Sequence, residues 1–388
     1  MPTDASRISA VLATEQHAGA IATFYREVWD PAATPASVLA AMRQASALNV
    51  AAPGSSVPTA LVLAGDRVIG YCGSIPQQLW DGTRQRPAYW VKGLMVLPEY
   101  RNGPVGYLVV KELSRHLDCS TILTVAPAAR RLFTALGYTD LGAVANWVRP
   151  LRPGVIAEKI DLGALGLDRL PRWMGGGVRA ARRAGIAGAV GFAGGVVLDA
   201  AVRLARLPAA RIATGIETPS AVELDQLWNV LRDELAASPV RDSAYLLPRF
   251  GEGGSDRLEH PYTFVAARER GRLLGVAAVR RPRDTSDPRL GSTRVASASE
   301  LLFPSSRADA GLAILGAIER VARAAGADAV TCMTSHPALT SLLRRQGYLR
   351  LGGNVHFFLR DVTGAGHWPA DLDAWWLGRG DGESDASF

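Results

Sequence analysis

Two stretches of this 388-residue chain spell one ordered pattern, Pro-Ala-x-x-x-Leu-x-x-x-x-Gly-Tyr-x-x-Leu-Gly, beginning at Pro127 and again at Pro337. Pro127, Leu132, Gly137, Tyr138, Leu141 and Gly142 stand against Pro337, Leu342, Gly347, Tyr348, Leu351 and Gly352. Earlier in each half, Pro98-x-x-Arg101 answers to Pro304-x-x-Arg307. Matches this numerous, in one order, indicate that a single structural plan occurs twice. The length leaves room for two domains with ample cores.

Within the first copy the hydrophobic period alternates between strand and helix. Residues 8–12 read as a strand, 18–29 and 35–48 as amphipathic helices, and 59–63, 68–74 and 88–97 as strands. Pro98 stops the last of these, and from Val105 the apolar residues Leu108, Val109, Leu113 and Leu117 return at helical spacing. A strand at 120–125, a helix carrying Arg130 to Phe133 and a strand at 143–148 close the copy. The turn between Pro98 and Val105 therefore hands a strand over to a helix N-terminus, whose first N–H groups lack intrahelical partners and carry the positive end of the dipole. A pyrophosphate fits such a turn, with Gly103 and Gly106 allowing close approach and Arg101 adding charge. Two glycines alone also fit an ordinary β-α turn.

Val96-Leu97-Pro98-Glu99-Tyr100-Arg101 leading into Gly106, followed by Leu132-Phe133-x-x-Leu136-Gly137-Tyr138, resembles the Gcn5-related N-acyltransferase superfamily. The resemblance implies an α/β fold (α+β, mixed sheet), the acyl-CoA N-acyltransferase fold, here in two tandem copies. It implies acetyl-CoA or another acyl-CoA as co-substrate. Arg101, Asn102, Gly103, Val105 and Gly106 would cradle the pyrophosphate, and the main chain of Met95 and Val96 would pair with the pantetheine arm. Three positions depart from the family pattern. Pro104 replaces a usual glycine and has no N–H; Phe133 replaces a tyrosine proposed to protonate the leaving thiolate; Lys92 lies near where some members place an acidic base.

The second copy reads as strand 212–216, helix 221–236, strands 262–268 and 273–280, and central strand 296–303. Its turn, Ser305 to Gly311, lacks the glycine pattern and carries Asp309, whose charge repels an anion. This copy reads as structural or substrate-binding. Glu300 interrupts the central strand; facing a cleft it is a candidate general base, and otherwise a salt-bridged carboxylate. Arg241-Asp242-x-x-Tyr245-Leu246-x-x-Arg249-Phe250, then His260-Pro261-Tyr262, resembles a segment of tandem acyltransferase-like proteins associated with polysaccharide biosynthesis, as do Trp375, Trp376, Gly380 and Asp381 in the tail. The tryptophans are expected to dock the tail on the body.

Between the copies, residues 184–198 carry no charge, and Gly185, Gly188, Gly191 and Gly194 recur every third position between arginine flanks at Arg179, Arg182, Arg183, Arg203 and Arg206. The run falls short of the roughly 18 to 20 apolar residues that cross a bilayer. A helical linker packed on the domains is expected, with membrane-surface contact through 175–206 as the alternative. The expected organisation is 1–153 for an N-terminal acyltransferase-like domain, 154–210 for an Ala/Gly/Arg-rich helical linker, 211–361 for a degenerate second copy and 362–388 for the tail.

The charge of +7 comes almost wholly from arginine, since Lys92, Lys111 and Lys159 are the only lysines. No basic block interleaved with aromatics marks a nucleic-acid binder, and the spread of charge suits anionic ligands in general. Cys72, Cys119 and Cys332 and the six histidines show neither a disulfide framework nor metal-ligand spacing. The N-terminus lacks a basic start and apolar core, so a cytoplasmic location is expected. Two functions follow: an acyl-CoA-dependent transferase acting on an amine or hydroxyl of a small molecule or sugar, or a binding or scaffold protein that kept the fold without the chemistry. A third, aminoacyl transfer from tRNA, is opposed by the missing basic block.

Overall fold

The structure, a computed structural model, describes residues 8–123, 125, 127–159, 187–209, 211–251, 262–282 and 292–382. The chain divides into two compact units, Met1–Gly142 with His356–Trp368, and Ala143–Val355 with Pro369–Phe388.

Unit 1 runs β1 (Ile8–Leu12), α1 (Ala18–Val28), α2 (Pro35–Ala47), β2 (Ala60–Ala64), β3 (Arg67–Trp80), β4 (Gln85–Val96), α3 (Val105–Ser114), β5 (Cys119–Leu123) and α4 (Pro127–Ala135). The chain then enters β6 (Thr139–Pro150) and leaves unit 1 after Gly142. Unit 2 contains α5 (Pro153–Lys159), α6 (Ala187–Ala205), β7 (Ala213–Ile216), α7 (Ala221–Arg232), α8 (Ser243–Phe250), β8 (Tyr262–Glu269), β9 (Arg272–Arg280), β10 (Val295–Leu302), α9 (Ala308–Ala324), β11 (Ala329–Met333) and α10 (Pro337–Arg345), followed by β12 (Leu349–Asp361).

The sheet of unit 1 has the order β1-β2-β3-β4-β5 with the end of β12 beside β5, in register Phe357↔Leu123 to Asp361↔Cys119. In unit 2 the order is β7-β8-β9-β10-β11 with β6 beside β11, in register Ala329↔Pro150 to Met333↔Asn146. Both sheets are antiparallel except for one parallel pair, β4 with β5 and β10 with β11. Each copy thus gives its last strand to the other unit. The continuous boundaries 1–153 and 211–361 differ from these interleaved units, because a strand is assigned by the ladder it completes and not by the copy that encodes it.

Side chains hold the exchanged strands. Arg360 of β12 donates to the carbonyls of Ser114 (3.0 Å) and Leu117 (3.1 Å) at the end of α3, where the negative end of the dipole favours a cation. Phe358 packs into the unit 1 core with Phe133 and Tyr138. In unit 2, Trp147 of β6 donates through Nε1 to the Thr334 carbonyl (3.0 Å), and Arg149, fully buried, meets Asp199 (2.5 Å) and Glu319 (3.3 Å).

Local chemistry starts the helices where the sequence suggests. Thr34 and Ser37 form a capping box with Pro35 at the first position of α2, and Ser220 with Glu223 does the same for α7. Helix α8, not expected, is capped by Asp242, which accepts from the Tyr245 amide at 3.0 Å. Strand β3 runs on to Trp80, beyond the expected end at residue 74. Residues 160–186, which include Arg179, Arg182, Arg183 and Gly185 of the expected linker, lie outside the described residues, as do His260 and Pro261.

Candidate functional site

In unit 1 the ladder between β4 and β5 is short, Tyr89↔Ser120 and Trp90↔Thr121. A buried hydrogen bond from Gln77 Nε2 to Thr121 Oγ1 (2.8 Å) ties β3 to β5 at that end. Beyond it β4 continues along β3 as far as Gly70↔Val96, after an extra residue between Lys92 and Met95 where Gly93 takes φ +60°. Such a bulge increases twist and turns the strand aside. The described ladder to β5 ends there, so residues 91–96 are the part of β4 that the described β5 does not pair.

At the end of that strand the chain makes one 3-10 turn at Pro98–Tyr100, the Gly103 amide donates to the Tyr100 carbonyl (3.1 Å), and α3 begins at Val105 with no side-chain cap. Pro104 is the N-cap residue. The missing N–H therefore falls just outside the first turn, and the amides of Val105, Gly106 and Tyr107 remain the ones that a helix start offers. A Cβ at Gly106 would stand 3.8 Å from the Val96 side chain, which sets Gly106 against the end of β4. Arg101 is exposed and donates from Nε to the Val96 carbonyl (3.2 Å). Asn102 and Gly103 are exposed beside it. Met95 and Val96, at the end of β4, are half-buried. Glu99 is paired with Arg67 (3.1 Å), and Lys111 lies 5.5 Å above the Tyr107 ring. The structure thus brings Met95, Val96, Arg101, Asn102, Gly103, Val105 and Gly106 together around one uncapped helix start, a donor set that suits a pyrophosphate.

Proton-transfer groups are sparse here. Phe133 is buried against Tyr138, ring centroids 5.4 Å apart. The Tyr138 hydroxyl meets Ser120 Oγ (2.9 Å) and Ser114 Oγ (3.3 Å), and burial raises its pKa, which holds it neutral.

Unit 2 repeats this geometry and fills it. Strand β10 has its own bulge near Ser299 and pairs with β11 only over Val295 to Ser297. At the start of α9, Glu234 accepts from the Ser305 amide (2.5 Å), Ser305 Oγ (2.7 Å) and Ser306 Oγ (2.9 Å). Asp309 accepts from the Ala310 amide (3.0 Å) and pairs with Arg307 (3.0 Å). The tail occupies the edge of β10: the Gly380 amide donates to the Ser299 carbonyl at 2.6 Å, and the Trp376 amide to the Ala237 carbonyl at 3.0 Å. Carboxylates and backbone of the chain itself thus stand at this helix start and strand edge, whereas the corresponding helix of unit 1 starts with no side-chain cap. Neither Glu234 nor the path of the tail was legible in the sequence, since both join residues far apart in the chain.

Glu300 belongs to this filled region. It is 1% exposed, with Arg241 Nε 2.8 Å from its Oε2, and Arg241 also meets Asp381 at 2.7 Å. The Nε contact is a charge contact whose N–H is not aimed at the oxygen, since neither atom completes a hydrogen bond. Burial pushes the Glu300 carboxyl up to about 7, aided by Asp381 and opposed by Arg241. The folded state therefore holds the proton more tightly than the unfolded chain. Stability from this group is complete below an ordinary pKa of 4.5 and is lost as pH rises through about 7. Glu300→Gln, which cannot ionise, is expected to remove this slope, on the order of 3 kcal/mol between about pH 5 and pH 8. Urea unfolding of both proteins across that range measures it, and parallel curves would contradict it.

Among the described residues no group of three or more His, Cys, Asp or Glu side chains is placed to hold a metal ion. No protein-family model matches the chain. No curated protein matches it. Solved structures do resemble it. A GCN5-related N-acetyltransferase from Anabaena variabilis ATCC 29413 is similar at TM-score 0.56 and 12% identity, over 92% of this chain and 73% of that one. A second, from Kribbella flavida, is similar at 0.53 and 16%, over 95% and 74%. N-myristoyltransferase from Saccharomyces cerevisiae, determined with bound myristoyl-CoA, is similar at 0.53 and 12%, over 93% and 80%. At these identities the likeness speaks to fold: the chain has the fold of the acyl-CoA N-acyltransferases, α/β with a mixed sheet.

Proposed function

We propose that unit 1 binds an acyl-CoA and that the protein is an acyltransferase acting on an amine or hydroxyl of a small molecule or sugar. One observation carries the reading: the end of β4 leads to a helix start with no side-chain cap and exposed Arg101 beside it, while the corresponding place in unit 2 is filled. The amides of Val105, Gly106 and Tyr107 and the Arg101 guanidinium hold the pyrophosphate. The edge of β4 at Met95 and Val96 aligns the pantetheine arm by main-chain pairing. Bound there, an acyl-CoA supplies a thioester whose C–S bond breaks as a new C–N or C–O bond forms, and the acceptor's proton ends on the released thiolate. The chain's own contribution is positioning and polarisation through backbone donors. Glucosamine enters by analogy only, because a similar fungal protein is described as a glucosamine N-acetyltransferase region. An association with polysaccharide biosynthesis is part of the same proposal.

A second reading, a binding protein without catalysis, is favoured by buried Phe133 in place of a proton donor. Isothermal titration with acetyl-CoA and a longer acyl-CoA, followed by an assay of thiol release with amine and sugar acceptors, separates the two. One equivalent is expected to bind, about a hundredfold more weakly in Arg101→Ala, Gly106→Trp, which removes a charged donor and blocks the helix start. Binding without thiol release selects the second reading. No heat at millimolar ligand sinks the transferase reading and leaves a scaffold with another partner.

A further inference from the structure

Among the described residues, helix α6 is held in unit 2 by one side. Gly195 lies so close to α5 that a Cβ would stand 2.9 Å from the Pro153 ring, and Leu198 and Val202 pack over Gly347. Asp199 is tied to Arg149 (2.5 Å) and Arg323 (3.0 Å). These contacts set the rotation of the helix and turn another face outward. On it Phe192 is 70% exposed, Val197 71% and Leu204 68%, with Val196 between them and Leu207, 67% exposed, just past the helix end. An ordinary surface helix places charged residues on its outer face. This one presents large apolar groups over about four turns, at i, i+4 and i+5 spacing.

The polar fringe of that face is cationic. Arg203 is exposed on α6 itself. Arg152 and Arg323 line a groove of about 460 Å³ between α5 and α6, together with Phe192 and Val196. The carboxylate in that groove, Asp199, is shared by Arg149 and Arg323, and Arg152 pairs with Asp328 (3.5 Å), so with Arg203 the arginines around the face outnumber its carboxylates. No helix among the described residues is long and apolar enough to cross a membrane. An apolar face with an arginine fringe on a helix fixed in a folded unit matches what an anionic bilayer surface offers, apolar depth beneath negative headgroups. A second copy fits less well, because pairing the face with itself brings two arginine-fringed patches of the same sign together.

We propose that the outer face of α6 docks the protein on an anionic lipid bilayer, with Phe192, Val196, Val197 and Leu204 entering the headgroup layer and Arg203, Arg152 and Arg323 meeting lipid phosphates. This surface belongs to unit 2 and is independent of the acyl-CoA reading of unit 1. The test is flotation of the full chain with vesicles of phosphatidylglycerol and, separately, of phosphatidylcholine. The native protein is expected to float with the anionic vesicles and at least about tenfold less with the zwitterionic ones. Phe192→Ser, Val197→Ser is expected to lose binding about tenfold with an unchanged unfolding midpoint, since both side chains are exposed. Phe192→Trp, which keeps the apolar group, is expected to float as the native protein does. Equal binding of the double-serine variant, or no binding by the native chain, overturns the proposal. So does light scattering that shows a dimer dissolved by the same two substitutions, which assigns the face to a second copy.

Discussion

Replacing Arg241 by Met is expected to destabilise the protein by about 3–5 kcal/mol, the usual loss when one member of a buried ion network is removed. Arg241 is fully buried between Glu300 and Asp381, and Asp381 in turn accepts from the Gly378 amide at 2.8 Å. Without the guanidinium two carboxyl groups remain in a dry site with no cation between them, and one must take up a proton or the tail must leave. Neutralising the partners relieves most of this. Arg241→Met combined with Glu300→Gln and Asp381→Asn is expected to recover more than half of the loss, because the cost lies in uncompensated charge and not in the missing attraction. Urea unfolding of the single and triple variants measures both quantities. A single variant within about 1 kcal/mol of the native protein would mean that the network is wetter than its burial indicates.

Trp376→Ala is expected to cost a similar amount, about 3–5 kcal/mol. The indole is 1% exposed, edge-on to Phe303 (centroids 5.9 Å) and 4.8 Å from the His336 ring. With Trp375 it is one of the two large side chains by which the tail is buried, and close-packed surroundings refill so large a volume only in part. Removing it also opens His336, whose pKa burial now lowers, so the imidazole titration in the variant is expected to move up toward its ordinary range. The backbone of the tail has no freedom to compensate at Gly380, where a Cβ would stand 2.6 Å from the Phe250 ring and 2.9 Å from the Ser299 carbonyl. Proteolysis of the tail in Trp376→Ala, beside resistance in the native protein, gives a second readout. An unchanged midpoint with an uncut tail would contradict this docking of the tail.

These two predictions concern the copy whose chemistry is filled in, and they bear on the other. The second unit places Glu234 and the tail where the first has a helix start with no side-chain cap, so a single equivalent of acyl-CoA is the expected stoichiometry. The Asp309 reading was right in direction, in that a carboxylate stands near the helix start, yet the closer occupant of the Ser305 amide is Glu234. Pro104, which from the sequence weakens the cradle by one amide, falls at the N-cap, outside the first-turn donors.

Sequence by itself determined most of the elements and their order, helix α8 excepted. Hydrophobic period separates strand from helix, and Pro98, Pro35, Ser220 and the glycines at turns mark ends, because those signals act within a few residues. It also brings the residues proposed as a cradle together, since Arg101 to Gly106 is one continuous turn. The tertiary structure alone decided three things. It decided which ladder β6 and β12 complete: an alternating strand states which face is buried and not which neighbour it pairs with, and two copies with the same Gly-Tyr-x-x-Leu-Gly entry offer interchangeable edges. It decided that Glu300 lies beneath the tail with Arg241 and Asp381, residues 59 and 81 positions away in a chain where only folding sets distance. And it decided that α6 turns apolar side chains outward, because the glycine spacing of 184–198 shows where a helix can pack closely, while the face that remains exposed is set by what Pro153, Gly347 and Arg149 already cover.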